Sequence, residues 1–395
     1  MCPSNSLSRR IKRHVTGPEQ TFFAATSPGL EQLCLAELRA EPLCIKTAAV
    51  IAGGVQFKGR VRDCFMANLT LSTANRILMR MGAFKATNFR QLEKKLSNFN
   101  WELYLPAGRL PRINVTSRHS RLFHTAAISE RFKISIARRL VTTPAGQTPS
   151  ARAPVPQIIF VRVVNDRFTL SIDSSGDLLY KRGIKKDVGR APLRETIAAG
   201  ILTLAGYTGR EPLLDPMCGS GTFAIEAAMQ AQKIPAGWFR DFAFKSWPCF
   251  RPRQWAYIRR QSENRISLLT KPFIFASDRD RPICKVLQDK IETYEFSGVI
   301  SISCRDFFDI APLEVSPRPG LVVINPPYGL RMGDPDQIDA FFMRIYRTLK
   351  RAYRGWKLAL IVPENRLAEM APFPKMVLHR LHHGGLKLTL VTAKI

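Results

Sequence analysis

The chain has 395 residues, 45% apolar and 23% charged, enough for two or three compact units and too apolar for wholesale disorder. It carries 60 Lys and Arg against 31 Asp and Glu, divided as 26 against 11 in residues 1–180 and 34 against 20 thereafter, so the formal +29 belongs to the whole surface rather than to one tail. A surface of that kind releases counterions from a polyphosphate and points to nucleic acid as partner, while the absence of any run of about 18 apolar residues excludes a membrane-spanning helix.

Residues 1–19 read as a basic, Ser-rich tail without the apolar stretch of a secretory leader. A strand is expected at 21–25, then a turn at Pro28-Gly29 and a helix with Leu30, Leu33, Cys34 and Leu38 at helical spacing. Residues 50–57, around Gly53-Gly54, suit a hairpin corner, and 67–79 suit a helix carrying Leu69, Leu71, Ile77 and Leu78. A Pro-rich connection with Trp101 leads to a strand at 112–116 and a helix at 126–140. That helix bears Arg131, Lys133, Arg138 and Arg139 opposed only by Glu130, a pattern that fits either a phosphate-tracking surface or a solvated face. A loop over 142–156 precedes a hairpin at 158–164 and 168–173.

From about residue 183 the texture changes to short apolar runs alternating with helical stretches, the pattern of a buried parallel sheet. Strands are expected at 212–215, 273–277, 299–304, 320–324, 357–362 and 386–392, with helices near 194–205, 222–232, 283–296 and 336–353. The fold class is therefore α/β, doubly wound. The eight cysteines form no Cys-x-x-Cys pair and, with six His, no metal-ligand spacing. No metal is expected, and scattered thiols suit a reducing cytoplasm.

Three segments carry chemistry. In Leu213-Leu214-Asp215-Pro216-Met217-Cys218-Gly219-Ser220-Gly221-Thr222 a strand passes through a Gly-rich turn into a helix, which lets backbone approach a ligand closely. The acid at the strand end suits a ligand bearing an amine or a positive charge, such as the methionine end of S-adenosylmethionine. Asp278 closes the next strand, where a carboxylate can accept both hydroxyls of a ribose. It lies 63 residues after Asp215, so 233–260, rich in Trp and Phe, reads as an insertion packed on the domain, its aromatics serving as local core. Asp306 follows the third strand and could meet an adenine amine. Finally, Asn325-Pro326-Pro327-Tyr328 ends an apolar strand in a rigid turn. There the Asn325 side-chain oxygen and the Pro326 carbonyl can accept both hydrogens of an aromatic amine, while Tyr328 offers a face for a flipped base.

That combination resembles the amine-directed class I methyltransferases. Further segments narrow the resemblance to the THUMP-domain guanine methyltransferases of bacterial large-subunit ribosomal RNA. They are Tyr180-Lys181-Arg182-Gly183 and Ala191-Pro192-Leu193-Arg194-Glu195-Thr196, then Gly53-Gly54-Val55-Gln56-Phe57, Ala74-Asn75-Arg76, and residues 117–125 beginning Ser117-Arg118-His119. The likeness runs over nearly all of 20–395. It implies a ferredoxin-like unit at 20–66, a THUMP RNA-binding domain at 67–175, and a Rossmann-like methyltransferase domain at 183–395 with the insertion 233–260. It also implies S-adenosylmethionine held by Asp215, Gly219, Gly221, Thr222, Asp278 and Asp306, the target amine held by Asn325 through Tyr328, and ribosomal RNA as substrate. Arg279 beside the ribose acid departs from the aliphatic residue usual in that family. The chain ends at Ile395 without the second methyltransferase domain of longer relatives, so one methylation is expected. Transfer RNA as the polymer, a DNA adenine methyltransferase and a non-catalytic RNA-binding assembly factor are the alternatives.

Overall fold

The computed structural model describes residues 5–108, 110–141, 156–184, 193–327, 335–363, 365–383 and 385–395. The expected loop at 142–156 and Tyr328 lie largely or wholly outside them. The chain divides into two compact units, the first made of 1–26, 34–179 and 240–260, the second of 27–33, 180–239 and 261–395.

The first unit is built on seven strands: β1 (Gln20–Thr26), β2 (Ala48–Ile51), β3 (Gly54–Gly59), β4 (Ala74–Lys85), β5 (Arg112–Arg118), β6 (Ile158–Val164) and β7 (Arg167–Asp173). They form one sheet in the order β2-β3-β1-β4-β7-β6-β5. All neighbours are antiparallel except β5 and β6. Each strand alternates sides, and one side carries the buried Phe22, Phe57, Ile77, Ile159, Val161 and Leu170.

Three expectations change here. The helix foreseen at 67–79 is a helix only over Val61–Thr70, and Ile77, Leu78 and Met79 belong to β4. Helical spacing and a short run of consecutive buried strand residues, here Ile77 to Met79, give similar apolar patterns, and the break falls at Ser72-Thr73, both held by the Glu37 carboxylate. The boundary foreseen at 66/67 thus lies inside a helix, and β4 bonds to β1 on one side and β7 on the other. The basic tail is helical over Asn5–Ile11, with Ile11 and Val15 buried and Arg10 paired to Glu102 at 2.8 Å.

The insertion foreseen at 233–260 is divided between the units, and residues 240–260 pack into the first. Phe244 stacks on Phe65 at 4.2 Å and on Phe242 at 5.1 Å. Trp247 donates its indole N–H to Gln157 at 3.0 Å, and Gln157 donates to the Ala243 carbonyl at 2.9 Å. Arg240 donates to the carbonyls of Ser175, Asp177 and Leu178. The aromatics are core residues, but of the unit formed by earlier sequence. Buried aromatic area outweighs sequence proximity.

The second unit has β8 (Leu213–Asp215), β9 (Ile274–Asp278), β10 (Ile300–Cys304), β11 (Leu321–Ile324), β12 (Lys357–Val362), β13 (Val377–His383) and β14 (Leu386–Lys394). Their order is β10-β9-β8-β11-β12-β14-β13, with β8 to β12 parallel and β14 antiparallel to both neighbours. Successive residues of the central strands enter opposite cores. Leu213, Leu321 and Val323 join Ile197, Ala224 and Leu287 on one side. Leu214, Val322 and Ile324 join Phe342, Tyr346 and Leu349 on the other. That is why these strands read as continuous apolar runs. β13 escapes the sequence because it is an edge strand whose one buried residue is Leu381.

Candidate active site

β8 and β11 are hydrogen-bonded neighbours, while β9 and β10 lie beyond β8. The chain order therefore reverses between β8 and β11, and in doubly wound sheets ligands bind outside the carboxyl ends of the strands at such a reversal. The Gly-rich turn and Asn325-Pro326-Pro327 both leave the sheet at this point.

Asp215 ends β8 and is 1% exposed. Neither of its carboxylate oxygens has a hydrogen-bond partner among the described residues. Burial, and after it the charge of Asp278, pushes its carboxyl well above the usual range, against the Ala224 amide, which closes no hydrogen bond to it. A buried carboxylate left bare in this way is set for a cationic or N–H-bearing ligand.

The turn that follows is fixed by its backbone. Cys218 donates its amide to the Ser277 carbonyl at 2.9 Å, and Gly219 donates its own to Asp278 Oδ2 at 2.9 Å. Asp278 Oδ1 accepts from the Asp280 amide at 3.0 Å. Two amides thus orient the Asp278 carboxylate and leave further lone pairs for a ligand. Burial, with Asp215 and Asp278 behind it, raises the Cys218 thiol well above its ordinary value, which keeps it a neutral packing group.

The two glycines serve different ends. Gly219, at φ +51°, would place an added Cβ in open space. Gly221, at φ +84°, would drive one to 2.2 Å from Leu287 Cδ1. Gly221→Ala is therefore expected to lower stability by about 1–3 kcal/mol through overpacking added to backbone strain. Gly219→Ala should show the backbone part alone and weaken ligand binding instead, and denaturant melts beside ligand titrations separate the two. Thr222 opens the helix Thr222–Ala231 that Gly221 precedes.

Asn325 follows β11, and its side-chain oxygen is buried without a hydrogen-bond partner among the described residues. Pro326 is buried and Pro327 half-buried. Asp306 lies beyond β10, where it accepts from the Phe308 amide at 3.0 Å and caps a short turn over Phe307–Asp309. The structure brings Asp278 onto the Gly219 turn and sets Asn325 at the strand next to Asp215, while Asp306 follows β10, two strands away from β8.

Sequence reasoning missed one pair nearby. Arg182 and Glu226 form a two-pronged ion pair at 2.8 and 3.0 Å, with side chains only 1% and 4% exposed. Glu226 sits in the helix after the Gly-rich turn, so the pair ties the segment that begins at residue 180 of the second unit to that helix. No group of three or more His, Cys, Asp or Glu fit to hold a metal occurs among the described residues.

Residues 182–390 match the family described as RMKL-like, methyltransferase domain, and residues 21–78 match the RlmL ferredoxin-like domain. The ribosomal RNA large subunit methyltransferase K/L of Methylococcus capsulatus is 32% identical over 93% of the chain, and the chain spans 50% of that protein's length. A provisionally named RNA methyltransferase of Synechocystis sp., slr0064, is 29% identical over 94% of the chain and 95% of its own length. Among solved structures, SMU.472, a provisionally named methyltransferase in complex with SAH, superposes with a TM-score of 0.83 at 26% identity, covering 95% of this chain and 98% of that one.

Proposed function

Because the chain belongs to the RMKL-like methyltransferase domain family, we propose that it transfers a methyl group from S-adenosylmethionine to the exocyclic amine of a guanine in RNA, with large-subunit ribosomal RNA as the polymer and the cytoplasm as the place of action. The observation that carries this reading is the buried oxygen of Asn325, without a hydrogen-bond partner among the described residues, standing at the strand next to the likewise unpartnered carboxyl of Asp215. The ribosomal RNA named for the Methylococcus relative supports the choice of polymer. The first unit, on this reading, holds the ferredoxin-like and THUMP regions that grip the RNA.

The residues present fit S-adenosylmethionine. Asp215 receives its ammonium end, Gly219 leaves the backbone open to it, and Thr222 lies where the helix begins. Asp278, oriented by two amides, accepts the ribose hydroxyls, and Asp306 meets the adenine amine. Bound there, the cofactor supplies an electrophilic methyl on sulfur. Asn325 and the Pro326 carbonyl accept the two hydrogens of the guanine amine, which turns the nitrogen lone pair toward that methyl. Tyr328, next after Pro327 in the sequence, is the residue we assign to stack on the base. These hydrogen bonds strengthen as the amine becomes positive, and the surplus proton then leaves to water.

Asp215 adds a linkage prediction. Its folded pKa is raised, and a cation bound beside it favours the charged form, so binding lowers that pKa and releases protons. Calorimetry in buffers of different ionisation enthalpy should register this release, and Asp215→Asn should abolish it together with much of the affinity. Release unchanged in Asp215→Asn would place the titrating group elsewhere.

The reading is tested by incubating the chain with methyl-labelled S-adenosylmethionine and, in parallel, unmodified ribosomal and transfer RNA. Label in ribosomal RNA alone is expected. Label only in transfer RNA would keep the chemistry and replace the polymer. Cofactor binding with no label in either would support a non-catalytic RNA-binding role.

A further inference from the structure

The seven-stranded sheet of the first unit has two unlike faces. The face opposite its buried side carries Lys58 on β3, Arg76 and Arg80 on β4, and Arg162 on β6, as the cross-strand register requires: Thr21 pairs with Lys58, Phe23 with Leu78, Arg80 with Ser171 and Arg162 with Thr169. At the far edge Thr116 of β5 lies beside Arg162, so Arg112 and Arg118 share the face. Among the strand residues of this face the one carboxylate is Asp173. It is fully buried and already engaged, by an ion pair with Arg76 and by the amides of Ser175 and Gly176 at 2.9 and 3.1 Å. The other cations therefore have no acidic counterpart on the sheet.

Two of them are held in place. Arg80 lies over the Phe23 ring at 4.9 Å and donates to Ser171 Oγ at 2.8 Å. Burial, and the neighbouring charge of Arg162, pull its proton affinity down. Arg80, half-buried, and Arg162, exposed, flank β7 on the same face, and no strand residue between them carries a carboxylate, an arrangement that an anion can bridge. Arg76 lies over Phe160 at 5.4 Å, so ring contacts hold a second guanidinium on the same face.

We propose that this open face, centred on Arg80 and Arg162, binds the phosphodiester backbone of the RNA, an inference that rests on the RNA reading given above. The Phe23 ring fixes the Arg80 fork, Arg80 and Arg162 take phosphate oxygens, and the neighbouring Thr116 and Thr169 add hydroxyl donors.

The test uses the full chain and a fluorescent, unmodified fragment of large-subunit ribosomal RNA, with affinity followed over a range of salt. Arg162→Glu and Lys58→Glu alter exposed side chains and are chosen to spare the fold. Each is expected to weaken RNA binding about tenfold and to lower the salt slope by about one, with S-adenosylmethionine affinity unchanged. Arg80→Lys keeps the charge but loses the fork, and should fall between. Arg351→Glu, an equal charge change on the second unit, is the control for a general field. Equal losses in Arg351→Glu, or none in Arg162→Glu and Lys58→Glu, would overturn this site while leaving the RNA reading standing. No RNA binding by the unsubstituted chain would overturn the RNA reading, and this inference with it.

Discussion

Asn325→Ala is expected to lower methyl-transfer turnover by about 10²–10³-fold while leaving S-adenosylmethionine affinity nearly unchanged. The expectation follows from where the side chain stands. Its oxygen is buried without a hydrogen-bond partner among the described residues, so it carries a desolvation cost that no described residue offsets. A guanine amine placed against it removes that cost, and the gain grows as the nitrogen acquires positive charge. Cofactor contacts assigned to Asp215, Gly219 and Asp278 lie on other segments, so their affinity should survive. Single-turnover rates beside equilibrium titration give both numbers. Equal collapse of rate and cofactor affinity would mean that Asn325 shapes the cofactor site rather than the amine site.

The largest stability effect is expected at Glu226. Arg182 and Glu226 are both almost wholly buried and share two hydrogen bonds. Glu226→Ala strips that carboxylate from a buried guanidinium, at a cost of about 3–5 kcal/mol. Replacing both, as Arg182→Met with Glu226→Leu, removes the buried charge together with its partner and should recover most of the loss. Denaturant midpoints for the single and double variants decide it. A loss below about 1 kcal/mol for the single variant would mean that water reaches the pair as it reaches an exposed one. Because Glu226 lies in the helix that begins at Thr222, a loosened pair should also blunt cofactor binding.

How much could be read in advance differs between the two units. In the second, Leu213 to Asp215 and Leu321 to Ile324 announce buried parallel strands because both of their faces are covered, and the acid and Asn that end them are exceptions to an apolar run. The candidate site is legible for that reason: polar residues at the ends of such strands stand out. Asp278 could be foreseen as a strand-end acid, but its two amide bonds depend on backbone geometry that spacing does not encode. The Arg182–Glu226 pair joins residues 44 apart, and neither residue type marks itself as buried. In the first unit, Ile77, Leu78 and Met79 fit helix and strand alike, and only the hydrogen bonds of β4 to β1 and β7 decide between them. Residues 233–260 read in sequence as an insertion packed on the second unit, yet Phe244 and Trp247 find Phe65 and Gln157 of the first. Val377 to His383 alternate weakly because the strand is an edge with one buried residue. The open face centred on Arg80 and Arg162 became visible only through register, which brings together cations from strands far apart in the chain.

Nucleoside mass spectrometry of the labelled RNA product tests the central claim most directly, because it reports which atom of which base took the methyl group. The account predicts N2-methylguanosine as the labelled nucleoside, lost in Asn325→Ala. Label on adenine, on a ring carbon or on a ribose hydroxyl would contradict it.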